Sequence, residues 1–289
     1  MMDSVAAPRL IVEVRHGKLA GTKTVLDAGR ALRVGRTDLA DLVIAHDLGM
    51  SGVHFELQWD GARCALRDLQ SQGGTRLGGQ AVERGEVPHG GWVQAGETDF
   101  LVYVEGKTEA PADLLEGDEL AREQARLLAA ERALPSLRSL AGDKPLYAVL
   151  DMARDRRILG LVREHVEPHR SLYDGAQGEL AEDVAPYLVG PMRRDSALLD
   201  RLVREGFGKR WGIYCTSDEK FVEVRRHFRR FLMVELDHTN EQVYFRFYDP
   251  GVARAFWPTC NAAQRAELYG TLGDLYVEGK DLSLLRLPR

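Results

Sequence analysis

Five acidic residues in the second half of the chain are the strongest candidates for acid–base chemistry: Asp151, Asp174, Glu182, Asp183 and Asp249. Two carboxyl groups held close together could act as a general acid and a general base. Most of these residues end an apolar run or begin a turn, where aspartate is favoured because its side chain bonds to nearby main-chain groups. The pattern therefore favours turn-forming residues over a catalytic pair.

The other reactive side chains do not indicate a metal or cofactor site. His165 and His169 are four residues apart, which is a ligand spacing on a helix, but Pro168 lies between them and would disturb that helix. The cysteines at positions 64, 215 and 260 form no C-x-x-C pair. No G-x-S-x-G, P-loop or G-x-G-x-x-G motif occurs. We therefore predict no catalytic residues, no metal and no cofactor.

A dense group of arginines offers a candidate binding surface instead. Its members are Arg225, Arg226, Arg229 and Arg230. Apolar residues at spacings of three and four predict a helix with one buried face, and the arginines lie largely off that face. The apolar residues are Phe221, Val224, Phe228 and Phe231. The arginines could be solvated, could pair with carboxylates such as those of Asp151 and Asp249, or could contact an acidic patch on a partner protein.

The elements predicted around this helix are short strands. Apolar runs predict strands at 211–215, 232–236 and 243–248, and Thr216 with Glu219 fits a capping box at the helix start. Aromatic and arginine side chains are enriched at binding hot spots. We therefore expect Tyr244, Tyr248 and Trp257 to contact a partner together with the four arginines.

Length and composition limit the possible classes of protein. A chain of 289 residues usually forms two domains or one large one. The formal net charge of −5 argues against a general nucleic-acid-binding protein, which needs an excess of Lys and Arg. No apolar run reaches the roughly 18 residues of a membrane span, and the N-terminus lacks the pattern of a signal peptide. We expect a cytoplasmic protein.

Three regions of the chain differ in pattern. Residues 10–105 contain short alternating strands between glycine-rich turns, which is typical of an all-β sandwich or barrel. Residues 113–134 predict an amphipathic helix that Pro135 closes, either packed on a neighbouring domain or dimerising as a coiled coil. Its apolar residues are Leu120, Leu127, Leu128 and Leu134. Residues 146–289 alternate strands and helices, with a last helix over 262–275, and indicate a mixed α/β or α+β domain.

Short motifs in the first region resemble the forkhead-associated (FHA) family. They are Gly35-Arg36, Ser51-Gly52-Val53-His54, Asp68-Leu69-Gln70-Ser71 and Gly74-Thr75, in the order and spacing of the family. The resemblance implies a β-sandwich with phosphothreonine-binding loops at one end. Arg36 would anchor the phosphate, because an arginine fork gives charge-assisted hydrogen bonds to its oxygens. The other phosphopeptide-binding residues implied are Ser51, Ser71 and Thr75, and the structural ones are Gly35 and His54.

The chain departs from the FHA pattern at two positions. Gly73 stands where the family has Asn before Gly-Thr, and Gly78-Gly79 stands where it has Asn-Gly. In the family those asparagine amides hold the main chain of the bound peptide, which glycine cannot do. Two interpretations stay open: a working phosphate site with fewer peptide contacts, or a retained fold that serves as a docking module.

The region from Leu146 to about residue 272 resembles the effector adaptor, or chaperone, domain of bacterial type VI secretion. The blocks that carry the resemblance are LYAVLDMARD, SLYDG, APYLV, EGFG-x-x-WGIY, RRHFRRF and FRFYDP, in family order. Members of that family are not enzymes. They bind a toxic effector in the producing cell and help to load it onto the VgrG spike.

Together these observations predict an α+β protein of two domains. An FHA-like sandwich spans residues 1–106, a helical linker 107–145 and the adaptor domain 146–289. The predicted function is a non-enzymatic cytoplasmic adaptor that loads an effector onto VgrG. The alternative is a phosphothreonine-binding signalling module that regulates secretion assembly. The expected partners are the secreted effector, VgrG and a phosphothreonine-containing protein, with no nucleic acid.

Overall fold

The computed structural model describes residues 7–16, 18–111, 115–173, 181–235 and 241–289. The chain divides into two compact units. One consists of Met1–Glu109 with Arg163–Val166, and the other of Ala110–Val162 with Glu167–Arg289. Within the described ranges, none of the helices combines the length and the apolar character that a membrane span requires.

The first unit is a sandwich of two β-sheets. Its strands are β1 Leu10–Val14, β2 Lys23–Leu26, β3 Arg30–Gly35, β4 Leu42–Val43, β5 Phe55–Trp59, β6 Cys64–Asp68, β7 Thr75–Leu77, β8 Gln80–Val82, β9 Arg84–Val87, β10 Gly91–Ala95 and β11 Thr98–Val104. One sheet has the order β2-β1-β11-β10-β7-β8 and the other β4-β3-β5-β6-β9. In β5, Phe55, Leu57 and Trp59 are buried while Gln58 is exposed, which is the period-two alternation of a half-buried strand.

The second unit is built on a six-stranded antiparallel sheet of order β13-β14-β12-β15-β18-β19. Its strands are β12 Leu146–Asp151, β13 His169–Ser171, β14 Pro186–Met192, β15 Gly212–Thr216, β18 Leu275–Glu278 and β19 Leu284–Arg286. The helices are α1 Gly117–Asp143, α2 Arg157–Arg163, α3 Ala197–Gly206, α4 Phe221–Arg229, α5 Pro250–Phe256 and α6 Ala262–Tyr269. A separate two-stranded sheet pairs β16 Met233–Glu235 with β17 Gln242–Tyr244. The α+β fold class with a β-sandwich first and a mixed region second is therefore confirmed.

Both faces of the six-stranded sheet are covered. Along β12, Ala148 and Leu150 belong to a core that includes residues of α1, α2 and α3. Tyr147 and Val149 belong to a second core that includes residues of α4, α5 and α6. Because successive side chains of a strand point to opposite faces, the unbroken apolar run of β12 supplies both cores.

Helix α1 differs from its prediction. It continues through Pro135 to Asp143, so the prediction that Pro135 closes the helix was wrong. Leu134 and Leu137, on either side of the proline, are buried in the core, and this packing outweighs the missing main-chain hydrogen bond. Leu120, Leu127 and Leu128 are exposed, so the buried stripe lies in the C-terminal half of the helix.

Three further local predictions were wrong. Thr216 does not cap α4: it lies in β15, its Oγ1 accepts the N–H of Asp274 at 2.9 Å, and the N-cap is Lys220. The strand predicted to reach residue 248 ends at Tyr244. The last helix ends at Tyr269, and β18 follows it. Each error lies at an element boundary, where long-range contacts outweigh local pattern.

Candidate functional site

The loop after β3 presents the guanidinium of Arg36 to solvent. The main-chain N–H of Arg36 donates to the carbonyl oxygen of Ser51 at 2.9 Å, which joins the two neighbouring loops. Its Nε donates to the carbonyl oxygen of Met50 at 3.2 Å. The two terminal nitrogens donate to no other described residue. An exposed arginine held at Nε, with its terminal nitrogens available, is suited to bind an anion.

The hydroxyl of Ser51 is also available as a donor. Its oxygen accepts the main-chain N–H of Gln72 at 2.9 Å, and its proton meets no acceptor among the described residues. The main-chain N–H of Ser51 donates to Nδ1 of His54 at 3.0 Å. Ser51 and Arg36 therefore present donors from adjoining loops at one end of the sandwich.

His54 lies in the interior and braces these loops. Because Nδ1 accepts from Ser51, the ring proton is placed on Nε2, which donates to the carbonyl oxygen of Gly74 at 3.0 Å. The ring is completely buried. One imidazole thus ties the loop before β5 to the loop before β7.

Gly35 permits a close main-chain approach beside Arg36. A Cβ atom at this position would lie 2.2 Å from the carbonyl oxygen of Gly52 and 2.7 Å from Cα of Val53. Real Cβ atoms do not approach main-chain atoms this closely, so any side chain would separate the two loops. Glycine at position 35 therefore allows the close approach of the two loops directly before Arg36.

Thr75 does not face a ligand, so its prediction as a phosphopeptide-binding residue was wrong. It is completely buried, and its hydroxyl donates to Oδ2 of Asp68 at 2.6 Å. The hydroxyl of Ser71 donates to the same oxygen at 2.6 Å, and its N–H donates to Oδ1 at 2.9 Å. Both residues hold the 69–74 loop through Asp68, and only Ser71 is partly exposed.

The carboxyl group of Asp68 is held in its charged form. Burial alone would raise its pKa, but the hydrogen bonds from Ser71 and Thr75 outweigh burial, and the pKa of Asp68 lies below its ordinary value. Its stabilising contribution is therefore present at neutral pH and is lost as the pH falls through the lowered pKa.

Asp47 is a second bracing carboxylate, which the sequence analysis missed. It is 3% exposed and accepts three hydrogen bonds: from the N–H of Gly49 at 3.0 Å, the N–H of Glu97 at 2.8 Å and the hydroxyl of Thr98 at 2.6 Å. These bonds tie the loop that carries Ser51 to the turn between β10 and β11. Two of the partners lie about fifty residues away, so no local motif could have identified them.

The positions that lack asparagine are open to solvent or form a turn. Gly73 is exposed, and a Cβ there would make only an ordinary contact, at 3.5 Å, with the carbonyl oxygen of Gly49. Gly78 and Gly79 have φ values of 57° and 84° and form the two-residue turn between β7 and β8. Neither position supplies a side-chain amide that could bond to the main chain of a peptide.

The arginines of α4 form two pairs with different environments. Nε of Arg225 donates to the carbonyl oxygen of Ser171 at 2.7 Å, and Nε of Arg229 donates to that of Leu172 at 3.0 Å. These two side chains hold the segment after β13. Arg226 and Arg230 are exposed. Arg226 pairs with Glu223 at 2.5 Å, and Arg230 bonds to Nδ1 of His227.

Asp151 and Asp249 pair with arginines outside α4. Arg154 contacts both carboxylates, Arg246 pairs with Asp151, and Arg210 pairs with Asp249 at 2.5 Å. Both aspartates are almost completely buried, and both accept main-chain N–H groups at the start of a helix. Their carboxylates are occupied by capping and ion pairing, as the turn interpretation predicts.

Two of the remaining acidic candidates lie in the described part of the chain. Glu182 and Asp183 lie in the segment before β14, and Asp183 is exposed. Asp174 lies outside the described residues. Among the residues that the structure describes, no group of three or more His, Cys, Asp or Glu side chains is arranged to hold a metal ion.

Two of the three aromatic residues predicted to contact a partner lie in the core. Tyr248 and Trp257 are each 2% exposed, so their prediction as surface residues was wrong. Tyr244 is 41% exposed, and its hydroxyl bonds to those of Tyr173 at 2.7 Å and Tyr248 at 3.0 Å. Burial raises the pKa of Tyr248 to about 12, so its hydroxyl stays protonated.

Comparison with known families finds a match within each unit. Residues 13–106 match the family model described as the cytoplasmic domain of the inner membrane component of T3SS, and residues 146–267 match the model described as a domain of unknown function, DUF4123. The chain joins an FHA-like domain to a DUF4123 domain. DUF4123 is a family associated with type VI secretion.

Solved FHA domains are similar to the first part of the chain. The FHA domain of the CT664 protein from Chlamydia trachomatis is 24% identical, with 33% of this chain and 96% of that chain covered and a TM-score of 0.31. The FHA domain of an Arabidopsis thaliana hypothetical protein is 26% identical, covers 37% and 92%, and has a TM-score of 0.33. FHA-1 of Mycobacterium tuberculosis Rv1747 is 28% identical, covers 34% and 99%, and has a TM-score of 0.29. No curated protein matches the chain.

Proposed function

We propose that this chain is a non-enzymatic adaptor of type VI secretion, which binds an effector through its DUF4123 domain in the cytoplasm and assists its loading onto the VgrG spike. The observation that supports this proposal is the match of residues 146–267 to DUF4123, a family associated with type VI secretion. The adaptor would act by binding energy, covering an apolar or unstable segment of the effector until loading.

The geometry of the second unit favours binding over catalysis. The best candidates for a catalytic pair, Asp151 and Asp249, are saturated by Arg154, Arg210 and Arg246 and by main-chain donors. A general base needs a carboxylate that can reach a substrate proton. These two are almost completely buried, so their proposed role is to stabilise the domain.

Export and co-purification test the adaptor proposal. Full-length chain expressed in its own bacterium should recover one effector, identified by mass spectrometry, and deletion of the chain should stop secretion of that effector alone. Effectors that use other adaptors provide the control, because their export should continue. Undiminished export of the recovered effector from the deletion strain would reject the proposal.

The FHA-like domain adds a second proposed activity, which is binding of a phosphothreonine-containing protein. The specific observation is the pair of available donors at Arg36 and Ser51, held by His54, Asp47 and Asp68. A phosphate offers three acceptor oxygens and nearly two negative charges to such donors. Binding of this kind would let phosphorylation regulate assembly of the secretion complex.

Arg226 is the cleanest test of whether α4 contacts the effector. Its side chain is 66% exposed and, among the residues that the structure describes, pairs only with Glu223, so Arg226→Glu should leave the fold intact. If α4 lies in the interface, we expect the affinity for the recovered effector to fall about fivefold to tenfold, because charge reversal opposes an acidic partner surface. Isothermal titration calorimetry measures this change.

Arg156→Glu is the matched control, because Arg156 is an exposed arginine outside α4. Arg229→Glu is unsuitable, since it would also break the hydrogen bond to Leu172. Equal affinities for wild type, Arg226→Glu and Arg156→Glu would show that α4 is a scaffold only.

A further inference from the structure

In the part of the chain that the structure describes, the ribbon formed by β16 and β17 has no third strand. Among the described residues, Met233–Glu235 and Gln242–Tyr244 pair only with each other, whereas the other strands of this unit belong to the six-stranded sheet. A two-stranded ribbon is marginal by itself, and its outer edges expose unpaired main-chain groups. Such an edge is a template for another extended strand.

The register identifies which groups point outward. The N–H of Phe245 donates to the carbonyl oxygen of Leu232 at 2.9 Å, and Met233 lies opposite Tyr244. In an antiparallel ladder, hydrogen-bonded and non-hydrogen-bonded pairs alternate. Val234 with Val243 is therefore the next bonded pair. The N–H and C=O groups of Met233 and Glu235 point away from β17.

Apolar side chains accompany this edge. Met233 is 48% exposed and Tyr244 is 41% exposed, and as cross-strand partners they project from the same face of the ribbon. At the other end of β16, Glu235 is exposed. The edge thus combines main-chain donors and acceptors at strand spacing with an apolar position and an acidic position.

We propose that an extended segment of the effector pairs with β16 as a third strand of this ribbon. The inference rests on the proposed adaptor function and names the surface and the class of segment that it would use. Main-chain hydrogen bonds would supply affinity, and side chains at alternate positions would supply specificity. The complementary segment has an apolar residue against Met233 and a basic residue against Glu235.

The edge of β16 is favoured over the edge of β17 because β17 is fastened to the body of the domain. The hydroxyl of Tyr244 bonds to those of Tyr173 and Tyr248, and Tyr248 is buried. On the side of β16, Met233 is the more exposed apolar residue of the pair, and the exposed Arg230 precedes the strand.

The test uses the full chain and the purified effector recovered with it. Met233→Pro removes the outward N–H of β16 and leaves the bonded pair of Val234 with Val243 in place, since proline is tolerated where the N–H faces solvent. Met233→Ala keeps the N–H and removes only the side chain. Gln242→Pro makes the matching change on the edge of β17. We expect Met233→Pro to weaken binding at least about tenfold and Gln242→Pro to change it less than twofold.

Hydrogen exchange of the wild-type complex gives a readout that does not depend on any variant folding. The amides of Met233 and Glu235 should exchange rapidly in the free chain and become protected when the effector binds. Protection together with the loss in Met233→Pro supports strand addition. Unchanged exchange at both amides, or a larger loss in Met233→Ala than in Met233→Pro, overturns it. Protection that appears without effector at high chain concentration would assign the edge to a second copy and also overturns it.

Failure of this inference is distinguishable from failure of the adaptor proposal. If the effector binds wild type and all three variants equally, the adaptor function stands and the ribbon is excluded as its docking edge. If the effector does not bind the wild-type chain, both are overturned.

Discussion

Arg36→Ala is expected to lower the affinity of the FHA-like domain for a phosphothreonine peptide by at least about 100-fold, because hydrogen bonds to charged groups contribute about 1.5–3 kcal/mol each and two would be lost. The terminal nitrogens of Arg36 are the exposed cationic donors of the site, and Ser51 alone cannot replace them. A peptide selected from a phosphothreonine library, titrated in a calorimeter against the full chain, measures the change.

Two comparisons make the Arg36 experiment specific. Arg36→Lys keeps the charge but loses the fork, so it should bind with intermediate affinity. Arg67→Ala removes another exposed arginine of the same domain and should bind like wild type. Thermal unfolding of Arg36→Ala should lie close to that of wild type, because the exposed side chain contributes one hydrogen bond to the described residues, from Nε to the carbonyl oxygen of Met50. Phosphate recognition at this site would be contradicted if Arg36→Ala kept its affinity for the phosphopeptide. It would also be contradicted if the wild-type chain bound the unphosphorylated peptide as tightly as the phosphorylated one.

Asp249→Ala is expected to destabilise the DUF4123 domain by about 3 kcal/mol, because it removes a buried charge partner and a helix cap in one step. Asp249 caps α5 through the N–H groups of Gly251 at 2.7 Å and Val252 at 3.1 Å and pairs with Arg154 and Arg210. For a domain of this size such a loss lowers Tm by roughly 10 °C. Differential scanning calorimetry measures it.

Acidity should reduce the difference between Asp249→Ala and wild type. Burial alone would raise the pKa of Asp249, but Arg210 and the main-chain donors hold that pKa below its ordinary value. A lowered pKa stabilises the folded state at neutral pH, and this contribution disappears as the pH falls through the lowered value. Asp183→Ala, at an exposed carboxylate, is the control and should unfold like wild type. A gap in Tm that stays constant from pH 7 to strongly acid conditions would reject the assigned role.

Local pattern was sufficient to predict the β-sandwich, because alternation along strands such as β5 depends on neighbours in sequence. The family resemblance, and not local pattern, named Gly35 and His54, whose contacts connect neighbouring loops of the sandwich. Local pattern was insufficient for Thr75, since nothing local distinguishes a hydroxyl that faces a ligand from one that donates to Asp68.

Contacts between residues that are distant in sequence explain what local pattern could not predict in the second unit. Asp151 and Asp249 were recognisable as turn residues, but their partners are separated widely in sequence: Arg154 from Asp249, and Arg246 from Asp151, by 95 positions each. The same limit applies to α1, which passes through Pro135 because buried neighbours on the sheet hold it. The sequence predicted one surface of four arginines. In the structure, two of them, Arg225 and Arg229, donate to the carbonyl groups of residues 171 and 172, which are distant in sequence.

The three hydrogen bonds of Asp47 have a thermodynamic consequence for recognition. A loop that must be ordered by its ligand loses conformational entropy on binding, and that loss subtracts from affinity. Here the loop carrying Ser51 is already fastened to the turn between β10 and β11 by a buried carboxylate. Positions 73 and 78 hold glycine and offer no asparagine side chain to a peptide main chain. In the proposed phosphothreonine site, a loop that is ordered before binding would therefore let the contacts to the phosphate contribute most of their free energy to affinity.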